Sequence, residues 1–128
     1  MLMTETALLE KQVLVVEDSS DLNRMFCKQL SGRGFTTTGV LSVAEANAYL
    51  REYEPPSLIV LDLELVDGSG TDVLELLNTP RYKNTKIVIV SGNAFGRKTK
   101  VASYKIDYAL LKPVSPRALA TLVSSLVL

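Results

Sequence analysis

The sequence contains no histidine, no tryptophan and a single cysteine, Cys27. Without histidine it lacks the commonest general base and the commonest zinc ligand, and it cannot itself carry a phosphohistidine. One cysteine cannot close an internal disulfide, which suits a reducing compartment. Its place in an apolar helical pattern makes Cys27 a small core residue rather than a nucleophile. Net charge is absent too: 14 Lys and Arg balance 14 Asp and Glu, so no global basic field exists to hold nucleic acid or an anionic membrane surface. No apolar run reaches the roughly 18 residues of a membrane span. Residues 1–12 show no basic segment leading into an apolar one of signal length, so the expected location is cytoplasmic, with no membrane and no direct nucleic-acid partner.

What is present is a chain of 128 residues with 47% hydrophobic content, enough for one compact domain over 1–128 with a sizeable core. Residues 1–11 precede the first regular pattern and are expected to form a poorly ordered N-terminal extension. Short apolar runs at 13–16, 35–40, 58–61, 87–90 and 108–111 have the length and β-branched content of strands. The run at 35–40 is rich in Thr and belongs nearer an edge.

Between the runs lie helical patterns. Ser19 or Ser20 can cap the first, in which Leu22, Met25, Phe26 and Leu30 recur at helical spacing until Gly32 and Gly34. Ser42 and Glu45 form a capping box for the second, which Pro55-Pro56 ends. After the Asp67-Gly68-Ser69-Gly70 turn, Val73, Leu74 and Leu77 line a third that Pro80 stops. A weaker fourth is expected over 95–104, with Arg97, Lys98 and Lys100 on its solvated side. Ser115-Pro116 opens a fifth with Leu119, Leu122, Val123 and Leu126 inward. Five strands alternating with five helices predict an α/β fold with one doubly wound parallel sheet.

Ligands of such sheets bind beyond the carboxyl ends of the strands. At those ends stand Glu17 and Asp18, then Asp62, Ser91 and Lys112. Taken alone, Asp62 reads equally well as a plain strand terminus or cap and as a functional acid. Together with the others it belongs to a set: clustered carboxylates without histidine either share a proton or hold a hard, oxygen-liganded cation, of which Mg²⁺ suits the cytosol. Lys112 and the Ser91 hydroxyl can meet phosphoryl oxygens, and Asp62 is the natural nucleophile, since a carboxylate can accept a phosphoryl group as an acyl phosphate.

Over nearly its whole length the chain resembles the receiver domain of two-component response regulators. The likeness rests on Val-Val-Glu17-Asp18-Ser, Val-Leu-Asp62-Leu, the Asp-Gly-Ser-Gly loop, Val-Ile-Val-Ser91-Gly and Leu-Lys112-Pro113, in that order. The resemblance implies a CheY-like, flavodoxin-like sheet of order 2-1-3-4-5. It implies a phosphorelay role in which Asp62 takes its phosphoryl group from a phosphohistidine of a histidine kinase or phosphotransfer protein. Mg²⁺ would be held by Asp18, Asp62 and the backbone carbonyl of Glu64, with Glu17 acting through water, and Ser91 and Lys112 would bind phosphoryl oxygens. The surface of the fourth helix, fifth strand and fifth helix would then switch toward an effector or a second copy of the chain. Such a protein is not an enzyme beyond its own phosphorylation and dephosphorylation.

Three positions depart from the family pattern. Ala109 stands where an aromatic switch residue is common, Tyr108 is one position early and is expected on the other side of its strand, and Val66 replaces a common proline. Glu64 and Asn93 flank the site and are candidates for tuning hydrolysis of the acyl phosphate. Two other functions fit parts of the pattern. A haloacid-dehalogenase-like, Mg²⁺-dependent phosphohydrolase also uses an Asp after a buried strand, although Glu64 is a near miss for its second Asp. A phosphorylation-independent interaction module on the same fold would accommodate Ala109.

Overall fold

The structure, a computed structural model, describes residues 11–65, 67–92 and 103–127. The central sheet contains β1 (Gln12–Val16), β2 (Thr36–Val40), β3 (Leu58–Asp62), β6 (Lys86–Ser91) and β7 (Tyr108–Leu111), all parallel, in the order β2-β1-β3-β6-β7. This is the expected 2-1-3-4-5 order, with the Thr-rich strand at one edge. A second, two-residue antiparallel ladder, β4 (Glu64–Leu65) with β5 (Gly68–Ser69), follows β3 directly. The sequence was expected to form a simple turn there; a ladder this short carries no periodicity to read.

The described helices are α1 (Ser20–Gly32), α2 (Val43–Glu52), α3 (Gly70–Leu77) and α4 (Pro116–Val127), with a 3₁₀ turn at Pro80–Tyr82. The helix expected over 95–104 falls almost wholly outside the described residues, as do Val66, Asn93, Arg97, Lys98 and Lys100.

Local chemistry explains the helix starts. Ser19 Oγ accepts the Leu22 N–H, Ser42 Oγ accepts the Glu45 N–H at 3.0 Å, and Ser115 Oγ accepts the Ala118 N–H, so each hydroxyl satisfies a donor that the helix cannot. The capping box is displaced by one residue, because Glu45 Oε1 accepts from Leu41 N–H at 2.9 Å rather than from Ser42. At the end of α1 the chain turns through Gly34 at φ +95°, a conformation that a side chain disfavours.

Burial follows strand alternation. Ile59 and Leu61 of β3 join Leu14, Val16, Ile87 and Ile89 beneath α2 and α3, which contribute Leu50, Leu74 and Leu77. Leu58 and Val60 face the opposite way, with Val13, Val15, Val88 and Val90, beneath Phe26 and Leu30 of α1 and Leu119 and Val123 of α4. Each fully buried Leu or Ile contributes about 1.5–3 kcal/mol, so two full layers hold β3 between them. Two apolar expectations differ: Met25 is 52% exposed on the outer face of α1, and β7 is an edge strand whose Tyr108 is 48% exposed. Cys27 is half-buried against the second layer. Among the described residues no helix is long and apolar enough to cross a membrane.

Candidate functional site

The carboxyl ends of β1, β3 and β6 bring Glu17, Asp62 and Ser91 to one rim, all almost completely buried. Asp62 is the last residue of β3 and is 1% exposed. Its Oδ1 accepts the Glu64 N–H at 2.9 Å and its Oδ2 lies 3.1 Å from Lys112 Nζ. Lys112 follows β7 and also approaches Glu17 Oε1 at 3.3 Å. Its backbone is anchored by a 2.8 Å hydrogen bond from Lys112 N–H to the Ser91 carbonyl. Glu17 Oε2 accepts from Ser19 N–H at 3.0 Å. Glu17, Asp18 and Asp62 each offer a carboxylate oxygen, and these lie within 4.8 Å of one another.

The electrostatics follow from burial. Desolvation pushes the Asp62 carboxyl above its ordinary range, and the Glu64 N–H and Lys112 pull against that. Glu17 is raised in the same way, first by burial and further by the neighbouring Asp62 charge. For Lys112 burial works downward, but hydrogen bonding and attraction to Asp62 and Glu17 outweigh it and raise the ammonium. Glu17 Oε1 is buried, and the Lys112 ammonium at 3.3 Å is its charged neighbour. An all-oxygen set of three acids whose ligand atoms lie this close together suits a hard divalent cation and can hold a metal ion.

Close backbone approaches shape this rim. Gly70, the first residue of α3, packs so tightly on the strand exit that a Cβ there would lie 2.6 Å from the Asp62 carbonyl oxygen. Asn23, buried on α1, donates its amide to the carbonyls of Glu17 at 3.1 Å and Val40 at 2.9 Å, tying the ends of β1 and β2 together. Sequence reasoning missed this residue, although a polar side chain in the stripe with Phe26 and Leu30 was the available signal. Asp67, read from sequence only as part of a turn, also caps α2: its two carboxylate oxygens accept the N–H groups of Val43 (2.9 Å) and Ala44 (3.1 Å). Those two bonds hold the Asp67 carboxyl below its ordinary value.

Of the residues singled out from sequence, Glu17, Asp18, Asp62 and Lys112 converge. Ser91 is at the same rim, where its Oγ donates to Glu64 Oε2, and the Gly92 N–H donates to Glu64 Oε1 at 2.8 Å. Ala109 pairs with Ile89 and Tyr108 with Val88 along β7, and both side chains are exposed.

A five-stranded parallel sheet in this order, with acids and a lysine at the carboxyl ends of its strands, defines a flavodoxin-like domain with its site on that rim. The family model described as "Response regulator receiver domain" matches residues 13–124, and the chain belongs to that family. It is 37% identical over 108 residues to the photosynthetic apparatus regulatory protein RegA of Cereibacter sphaeroides, covering 81% of this chain and 56% of that protein. It is 27% identical over 121 residues to the polar-differentiation response regulator DivK of Brucella ovis, covering 92% and 98%. The solved structure of a response regulator receiver protein from Pseudomonas putida superposes with a TM-score of 0.80 at 28% identity, covering 91% and 97%. The chain spans about half the length of several curated relatives it matches, including RegA and the acid tolerance regulatory protein ActR of Rhizobium meliloti (53%). These matches select a phosphorelay receiver over a phosphohydrolase. Receiver domains of this family work with kinases and effectors and are not classical turnover enzymes.

Proposed function

We propose that Asp62 is the phosphoacceptor and that its donor is a phosphohistidine on a histidine kinase or phosphotransfer protein. The phosphorus–nitrogen bond to the imidazole breaks with its electron pair left on the ring, and a phosphorus–oxygen bond forms to an Asp62 carboxylate oxygen. The observation that carries this reading is the buried Asp62 carboxylate facing Lys112 Nζ at 3.1 Å, inside a cluster of three acids.

Each neighbour has a role in this reading. The Glu64 N–H on Oδ1 and Lys112 on Oδ2 fix the plane of the nucleophile. Lys112 offers its charge to a phosphoryl oxygen, and the Ser91 hydroxyl binds another. Asp18, Asp62 and the Glu64 backbone carbonyl would hold Mg²⁺, with Glu17 reaching it through water. The ion supplies charge neutralisation for an incoming phosphoryl group. Ser91 and the β7 segment through Tyr108 and Ala109 would carry the change to the surface of β7 and α4, where an effector or a second copy docks.

Incubation with Mg²⁺ and a small acyl phosphate, read as phosphate label in the protein, tests the assignment. The wild type is expected to label and Asp62→Asn to remain unlabelled. Equal labelling of the variant would overturn it.

A further inference from the structure

Glu64 makes contacts at the rim that acceptance of a phosphoryl group does not require. Its backbone is fixed, because its N–H is bonded to Asp62 Oδ1 and it pairs with Ser69 in the β4–β5 ladder. Its side chain is exposed, yet both carboxylate oxygens are engaged, one by the Ser91 hydroxyl and one by the Gly92 N–H. Two adjacent donors on one carboxylate make a bidentate, charge-assisted grip.

A phosphoryl group on Asp62 presents the same chemistry to the same rim: an anion with oxygens that seek an O–H and an N–H donor. We propose that the Glu64 carboxylate is an internal stand-in for that group, a latch that holds the Ser91 and Gly92 donors until a phosphoryl group displaces it. This rests on Asp62 being the phosphoacceptor. Attachment at Asp62 and release of Glu64 are then competing events, and the freed carboxylate passes into solvent through rotation of its own side chain while the β4 backbone stays in place. Glu64 acts as a positioning residue, setting how readily the two donors become available.

The test uses beryllofluoride, a phosphoryl mimic, in saturating Mg²⁺, with binding followed by calorimetry and by backbone amide NMR. Removing two charge-assisted hydrogen bonds from the competing state is expected to tighten beryllofluoride binding by about tenfold in Glu64→Ala. Glu64→Gln, which keeps an acceptor and loses the charge, is expected to fall between the two. Without any ligand, the Gly92 amide proton is expected to move upfield in Glu64→Ala, a change that a merely structural role for Glu64 elsewhere would not produce. Equal affinities in wild type and Glu64→Ala, or an unmoved Gly92 amide, would overturn the latch. Absence of beryllofluoride binding in every variant would overturn the phosphoacceptor reading and the competition with it, while a shifted Gly92 amide would still support the Glu64 contact.

Discussion

Replacing Asp62 by Asn is expected to stabilise the metal-free protein while it abolishes phosphoryl acceptance. Asp62 shares its site with Glu17 and Asp18 oxygens within 4.8 Å and with Lys112 Nζ at 3.1 Å. At an effective dielectric of about 20, each carboxylate pair at that separation repels by about 3.5 kcal/mol and the lysine attracts by about 5 kcal/mol. Two repulsions outweigh one attraction by about 2 kcal/mol, and burial of the charge adds to the penalty, while solvent near the half-buried Asp18 screens part of it. An Asn at the same position keeps an oxygen for the Glu64 N–H and sheds the charge, and Lys112 retains Glu17. The expected gain is about 1–2 kcal/mol, or a rise of about 5 °C in Tm. Thermal unfolding followed by circular dichroism at neutral pH in a chelator measures it. Addition of Mg²⁺ should then raise the wild type by up to about 2.7 kcal/mol at a hundredfold excess over its Kd, and the variant by less. A variant less stable than the wild type in chelator would show that the Lys112 attraction governs the site and would refute the reasoning.

Three further outcomes follow from the same geometry. Lys112→Ala leaves Glu17 and Asp62 buried without their cation and is expected to cost about 2–3 kcal/mol at neutral pH. Both carboxyls are raised in the fold, so protonation relieves them and the deficit should shrink as pH falls; a pH-independent deficit in urea melts would contradict this. Gly39→Ala would drive a Cβ to 2.1 Å from Asn23 Oδ1, so the amide that ties Glu17 and Val40 must move, for about 2–4 kcal/mol in urea unfolding; a change within about 0.5 kcal/mol would exclude that coupling. Asp67→Ala should lower Tm at neutral pH. Because Asp67 is held below its ordinary 3.8, its contribution is present above that value and lost as pH falls through the folded one, so wild-type and variant curves should converge in acid; parallel curves would refute the cap.

Much of the fold was legible because buried parallel strands announce themselves as β-branched runs, and because Ser19, Ser42 and Ser115 mark helix starts by chemistry that acts within one turn. The acids and Lys112 could be placed together because strand ends in such a sheet share a rim. What escaped was long-range and polar. Nothing local distinguishes Asp67 as the cap of α2, 24 residues away, or Glu64 as the acceptor for Ser91, 27 residues away. Asn23 broke the apolar stripe of α1, but its three carbonyl partners lie on β1, just beyond its end, and on β2, which only the folded chain brings near. The exposure of Tyr108 and Leu111 likewise depended on β7 lying at an edge, which strand order decides and residue pattern does not.

The placement of β3 between two apolar layers has a mechanical consequence. Its residues alternate between the cores, so sliding the strand by one position would exchange their contents, sending Leu58 and Val60 into the layer built for Ile59 and Leu61. Both halves of the interior would have to reorganise at once. Asp62 is therefore seated on a fixed post, and any movement provoked by chemistry at its carboxylate has to be taken up by the loops around the rim.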